Sequence, residues 1–465
     1  MKDRKAGGGR REANADRTLP SVGIVSLGCA KNLVDSEVML GHLTRAGHAI
    51  APDAQARVVL VNTCGFIEKA KEESVDAILE QVERKKRGEI DRVVVAGCMV
   101  QKYGRELAAE IPEVDSFLGL DELELAPAAA AGLPTLPRFT EKPLATRLYD
   151  DAAPRVLSRR RGYAYLKVGE GCDNPCTFCT IPQMRGRQRS RTIASLVAEA
   201  RAIEAQGVSE LVLISQDTTR YGEDLGLGRD GLTRLLEALL SQTSFPWIRF
   251  LYAYPKTLRD SVLERMALEP RLVPYVDIPL QHVSRKVLSA MRRGGDAGAY
   301  ADLLVRMRAT VPGIAIRTTL LVGFPTEGEE EFRELCAFVR QAEFDNLGVF
   351  TYSPEPGSGS EPLGDPVAAE EKERRKDFLL SLQRPIARRK LKALAGKTVD
   401  AIVEGPCDET EHLFEGRLRS QAPEIDGRLL ITDAEAPDLA PGRMVRVRIS
   451  KTYDYDVVGA VVAER

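Results

Sequence analysis

The sequence predicts an α/β protein in three parts: an N-terminal parallel α/β sheet domain, an open (β/α)-type barrel, and a small OB-like β-barrel at the C-terminus. Three observations carry this expectation. Short β-branched runs alternate with helical periodicity early in the chain. The same alternation recurs about six times in the middle, and five short alternating strands fill the last 70 residues or so.

Residues 1–20 are polar, Gly-rich and basic, with no apolar core of a secretory signal, and read as a disordered tail. Over 21–145, the runs Val22–Leu27, Val58–Val61 and Val93–Ala96 read as buried strands, each followed by a helix. The second of these helices spans Phe66–Arg87, with Ile67, Val75, Ile78 and Leu79 on one face. The segment Ala126–Arg155, rich in Ala, Pro and charge, reads as a linker. Over 158–385, strands are expected at Ala164–Val168, Leu211–Ser215, Ile248–Leu251, Val276–Ile278, Ala315–Val322 and Leu347–Phe350. A closed eight-unit barrel usually takes about 250 residues, so this shorter set predicts an open one. Over 390–465, strands are expected at Thr398–Val403, Phe414–Ser420, Leu429–Ile431, Met444–Ser450 and Val457–Val462.

The 465-residue chain is 43% hydrophobic and 29% charged, which excludes collagen-like, disulfide-scaffold and wholly disordered classes. No apolar run approaches the roughly 18 residues of a membrane span, so no membrane partner is expected. The net charge of −2 lacks the basic excess common in nucleic-acid binders. From Gly396 onward there are 14 acidic and 9 basic residues, a balance that favours a basic protein partner over RNA. Eight cysteines without a leader point to the reducing cytoplasm and to metal or redox chemistry.

Three of these thiols fall within eight residues, Cys172-Asp-Asn-Pro-Cys176-Thr-Phe-Cys179, just after the first expected barrel strand and so at the barrel's C-terminal mouth. The histidines, at 42, 48, 282 and 412, offer no neighbouring fourth ligand for zinc. Three thiolates can hold a [4Fe–4S] cluster and leave one iron open. Phe178 stands where it would shield such a cluster from water. The alternatives are a zinc knuckle or unconnected thiols. Cys29, Cys64 and Cys98 lie 35 and 34 residues apart, each at or near the end of one of the three N-terminal strands. Parallel strands end along one edge, so the three can converge on a second cluster with an open iron. Three separate buried thiols are the alternative. Cys336 reads as core, Cys407 lies in a polar loop without a role, and His282 is either structural or in contact with substrate.

The Cys-x-x-x-Cys-x-x-Cys motif after a first barrel strand resembles the radical S-adenosylmethionine (SAM) superfamily. With the upstream trio and the small last barrel, the chain from about Ser21 to Val462 resembles the methylthiotransferases: an N-terminal cluster domain, a radical-SAM barrel and a TRAM domain. The details are similar to the branch that modifies an aspartate of small-subunit ribosomal protein twelve. They are Ser26-Leu-Gly-Cys-Ala-Lys-Asn-Leu-Val-Asp-Ser-Glu37, Asn62-Thr-Cys-Gly-Phe-Ile67, Ile214-Ser-Gln-Asp217, Asp277-Ile-Pro-Leu-Gln-His282 and Ala422-Pro-Glu-Ile-Asp-Gly427. Ala30 stands where the family often has Pro, and Cys172 is followed by Asp-Asn-Pro; neither departure touches a thiol.

The resemblance implies two [4Fe–4S] clusters and SAM as cofactors. Cys172, Cys176 and Cys179 would hold the cluster at which one electron cleaves SAM to a 5′-deoxyadenosyl radical. Cys29, Cys64 and Cys98 would hold the cluster that carries the sulfur. A second SAM would supply the methyl group. An electron donor such as flavodoxin or ferredoxin and a sulfur donor are implied as partners. Arg185, in the run Arg185, Arg187, Arg189 and Arg191, would pair with a carboxylate of SAM or substrate, the alternative being a solvated charge run. Gln216 would hydrogen-bond the nucleoside, Arg317 would point into the barrel, and the backbone at Gly323 would approach adenine. The same thiols would also serve a tRNA adenosine methylthiotransferase or an iron–sulfur electron carrier. A Rossmann nucleotide binder is disfavoured, since no Gly-x-Gly-x-x-Gly follows a strand.

Overall fold

The computed structural model describes residues 19–133, 145–158, 162–407, 409–432 and 439–462. Most of the expected tail and part of the expected linker therefore lie outside the described residues.

The N-terminal runs form β1 (Val22–Ser26), β2 (Val58–Thr63), β3 (Arg92–Gly97) and a short β4 (Ser116–Leu118). They make one sheet in that order, parallel throughout. β2 and β3 are buried on both faces, which is why they read as continuous β-branched runs, while edge strand β1 is buried only at its start. Val58, Leu60, Val94 and Ala96 pack against Met39 and Leu43 of helix α1 (Ala30–Arg45). The alternate residues Val59, Val61, Val93 and Val95 pack against α2 (Glu68–Lys86) and α3 (Cys98–Glu110). The inward stripe of α2 is Ser74, Ile78, Gln81 and Val82; Leu79, expected on it, is 45% exposed. The polar members of that stripe hid it from an apolar count. The expected linker begins as a helical turn, α4 (Ala126–Ala130), because its alanines are small enough to seat against the sheet.

The barrel strands are β5 (Tyr163–Lys167), a ribbon of β6 (Gly169–Glu170) and β7 (Arg189–Ser190), then β8 (Glu210–Ile214), β9 (Trp247–Phe250), β10 (Tyr275–Asp277), β11 (Ala315–Val322) and β12 (Asn346–Thr351). The parallel strands pair as β5-β8-β9 and β10-β11-β12. The seam between β9 and β10 is held by Val273 N donating to Ile248 O and Ala253 N to Asp277 O. Pro274, with no N–H to give, directly precedes β10 and shortens the ladder there.

The last module is a closed barrel of β13 (Thr398–Cys407), β14 (Thr410–Leu418), β15 (Leu429–Ile431), β16 (Met444–Thr452) and β17 (Val457–Val461), in the order β13-β14-β15-β17-β16. Cys407, expected in a polar loop, ends β13 and is buried. This module seats on the N-terminal ends of the larger barrel's strands. Tyr275 donates to Asp426, 2.7 Å, and Glu210 pairs with Arg249 and Arg417 at 2.7 and 2.5 Å. One core joins all three parts, with Val34 of α1, Tyr165, Val212 and Ile214 of the barrel, and Ile402 and Ala422 of the last module. No helix among the described residues is long and apolar enough to cross a membrane.

Candidate active site

The loop between β6 and β7 carries the barrel trio. Gly171 enters it at φ +79°, where a Cβ would lie 2.1 Å from the Arg187 carbonyl oxygen; only glycine lets the two backbone stretches close. Backbone N–H groups then fix the turn, Cys172 to Gly186 O, Thr177 to Met291 O and Cys179 to Cys176 O. Asn174 N donates to Cys172 Sγ, 3.4 Å, and Arg293 Nη1 to Cys176 Sγ, 3.3 Å. Sequence reasoning missed both Asn174 and Arg293. Asn174 sits inside the motif and could have been considered; Arg293 arrives from 117 residues downstream, with no local signal.

The second trio stands along the C-terminal edge of the first sheet. Cys29 is the residue before α1, Cys64 follows β2, and Cys98 opens α3 directly after β3. Gly28, at φ +87°, passes so close that a Cβ there would sit 2.6 Å from the Cys64 Cβ. Ser74 of α2 ties down Cys64, its Oγ accepting from Cys64 N and donating to Cys64 O, each 3.1 Å.

All six thiols line a single cavity of about 570 Å³. Phe66 and Ile67 from the first part, Phe178 and Phe350 from the barrel, and Tyr252, Tyr254 and Gln281 complete much of its wall. Tyr252 and Gln281 hold left-handed backbone at φ 63° and 70°, a strain that side chains other than glycine rarely bear away from functional sites.

The donor set fits iron–sulfur clusters. Burial pushes the Cys98 and Cys179 thiols up to about 12 and Cys172 to about 11, and raises Cys64 as well. Ionised sulfur is therefore stable here only against a cationic partner, which ligated iron provides. At Cys29 burial opposes ionisation, but Lys31 and Arg185 outweigh it and hold the thiol below its usual range. Among the described residues no three His, Cys, Asp or Glu groups approach closely enough to share one metal ion. A cube held at its corners separates its anchors more widely than a single ion does.

Arg185 ends helix α5 (Ile181–Arg185) and ties the barrel to the N-terminal trio. Its Nε donates to Cys98 Sγ, 3.2 Å, its Nη2 to Asn32 Oδ1, 2.6 Å, and its Nη1 to both Glu170 oxygens, 2.9 Å. Asp35 of α1 pairs with both Arg185 and Lys167. Two cations and two carboxylates thus close a buried neutral group across the boundary between sheet and barrel. Gln216 lines the cavity and donates to Glu170, 2.6 Å, while its Oε1 is buried without a partner and accepts nothing.

Two expected cofactor contacts fall outside the cavity. Arg317 does not point to the mouth. It lies near the start of β11 and donates to Asp426, 2.7 Å, because the last module brings that carboxylate to the barrel's other end. Gly323 is covered by Lys372, whose Cγ would lie 2.4 Å from a Cβ there, and its N–H is taken by Glu327 at 2.5 Å. The three arginines after Arg185 also have protein partners: Arg187 pairs with Asp173, Arg191 with Glu199, and Arg189 donates to carbonyl oxygens.

His282 does not line the cavity. It is fully buried, its Nδ1 accepts from Ser284 N at 2.9 Å, and burial pushes its pKa down to about 3. With the folded value below the unfolded 6.5, the unfolded chain binds more protons between pH 6.5 and 3, so stability falls as the pH drops through that window. At pH 5 the cost is about 2 kcal/mol. Thermal unfolding of wild type and His282→Asn at pH 7 and 5 checks this: the variant should lose less on acidification, and equal losses would refute it.

Known proteins resemble the chain over nearly its whole length. The model of uncharacterized protein family UPF0004 matches residues 21–119, that of the radical SAM superfamily 166–339, and that of the TRAM domain 395–462. The ribosomal protein uS12 methylthiotransferase RimO of Solibacter usitatus is 49% identical, with 95% of each chain covered. The proteins of that name from Koribacter versatilis and Aquifex aeolicus are 44% and 43% identical, covering 95% and 94% of this chain and 96% of each relative. Among solved structures, the radical SAM methyltransferase TsrM of Kitasatospora setae shares the fold, with a TM-score of 0.53 at 16% identity over 73% of this chain and 76% of that one. Identity of this extent, spanning the sheet, the barrel and the last module together, makes the chain a member of the RimO family of ribosomal protein uS12 methylthiotransferases.

Proposed function

We propose that this enzyme transfers a methylthio group to the β-carbon of an aspartate in ribosomal protein uS12. It would do so with two [4Fe–4S] clusters, one on Cys172, Cys176 and Cys179 and one on Cys29, Cys64 and Cys98. The observation that carries the reading is the shared cavity, since sulfur can pass between two sites only if they face one space. When bound, SAM at the barrel cluster supplies a carbon radical able to take hydrogen from an unactivated C–H bond. The chain's own part is to hold the thiolates, exclude water with Phe178, Phe66 and Ile67, and offer the free Gln216 oxygen to a ligand hydroxyl or amine. Arg185 orients Cys98 while its charge is spent on Asp35 and Glu170. The same reading divides the chain at 21–145, 158–385 and 390–465, supported by the three family matches. An external one-electron donor, such as flavodoxin or ferredoxin, and a sulfur donor complete the reaction.

Anaerobic enzyme given SAM, a reductant and sulfide should add one methylthio group to uS12, read by mass spectrometry, and none to tRNA. A gain on tRNA alone would reassign the substrate, and absence of 5′-deoxyadenosine would favour an electron carrier.

A further inference from the structure

Two arginines donate to thiol sulfurs in the cavity, and they differ in their surroundings. Arg185 is offset by Asp35 and Glu170. Arg293 is 6% exposed, and no carboxylate among the described residues lies within ion-pairing distance of it. Its Nη1 donates to Cys176 Sγ at 3.3 Å and its Nη2 to Pro279 O at 2.6 Å, its guanidinium lies 4.4 Å from the Tyr254 ring centroid, and its Nε is buried without a partner. Desolvating a guanidinium against a carbonyl, a ring face and the Tyr300 hydroxyl, none of them an anion, is costly unless an anion is due at that place. The anion the geometry offers is the Cys176 thiolate.

We propose that Arg293 is a positioning residue that sets the reduction potential of the barrel cluster through Cys176. The inference rests on the reading of Cys172, Cys176 and Cys179 as ligands. One added electron makes a thiolate-ligated cluster more negative. A fixed cation and N–H donor at a ligand sulfur stabilises that reduced form and raises its potential. Arg293 thus lets a modest external donor deliver the electron, and its action is confined to the barrel trio, because it touches none of Cys29, Cys64 or Cys98.

The test is a dithionite redox titration followed by electron paramagnetic resonance on the full-length, anaerobically reconstituted chain. Arg293→Gln and Arg293→Lys are each placed in a Cys64→Ala background, where the barrel cluster alone gives the signal. Arg293→Gln should lower the midpoint by about 59 mV or more, a tenfold change in the one-electron equilibrium. Arg293→Lys, which keeps the charge, should fall between it and the parent. In a Cys172→Ala background, Arg293→Gln should leave the N-terminal cluster's midpoint unchanged. An unshifted barrel midpoint in Arg293→Gln, an equal shift of both clusters, or loss of the barrel cluster from both Arg293 variants would overturn the proposal. A Cys64→Ala parent that holds no cluster at all would instead overturn the ligand assignment beneath it.

Discussion

Cys64→Ala should halve the iron of the anaerobically reconstituted chain, from about eight to about four atoms, and abolish methylthio transfer while 5′-deoxyadenosine still forms. The reason is geometric. Cys64 stands between Gly28 and the Ser74 hydroxyl, so no other side chain can swing into its place. Cys29 and Cys98 alone would leave a cluster two anchors and two exposed irons. The barrel loop is built independently, on its own hydrogen bonds to Gly186 and Met291, and should keep its iron. Iron and sulfide analysis with product analysis by chromatography checks both halves. Unchanged iron content would remove Cys64 from the ligand set, and loss of 5′-deoxyadenosine would mean the two trios assemble as one.

Glu210→Ala should destabilise the chain by about 3–5 kcal/mol, the range for removing one partner of a buried ion pair. Glu210 is fully buried at the start of β8 and holds Arg249 of β9 and Arg417 of the last module, at 2.7 and 2.5 Å. Without it, two buried guanidinium groups face each other, and Arg417 keeps Glu404 as its carboxylate partner and the Gln421 carbonyl. Burial disfavours the Glu210 carboxylate, but Arg249 and Arg417 outweigh it and hold its pKa below the ordinary range. A depressed carboxyl contributes its full stability above its unfolded pKa and loses it as the pH falls through the lower folded one. The gap between wild type and variant in urea midpoints should therefore be constant from pH 6 to 8 and shrink only in strong acid. A variant within 1 kcal/mol of wild type would show that water reaches the pair.

The fold class was legible because its signals are local. β2 and β3 are buried on both faces and so appear as plain β-branched runs, and β11 matches its expected span residue for residue. β4 was missed because three residues, Ser116–Leu118, give no period to read. Leu79 was placed inside because periodicity counts apolar residues, whereas α2 turns Ser74 and Gln81 inward to bind its neighbours. The two thiol trios were visible, the first by spacing and the second by equivalent places after strands. Arg317 and Gly323 were misjudged for one reason: a strand position tells which face a residue takes, but not which partner another part of the chain carries there.

The sequence alone determined the longer strands, the thiol-bearing turns and the glycines that let those turns close, since each follows from backbone sterics and nearest-neighbour burial. Only the tertiary structure decided that both trios open on one cavity, that Arg185 of the barrel reaches Cys98 and Asp35 of the first part, and that Arg293 reaches Cys176. Those contacts join residues up to 150 positions apart. Burial makes them strong, and burial is a property of the assembled layers rather than of any segment.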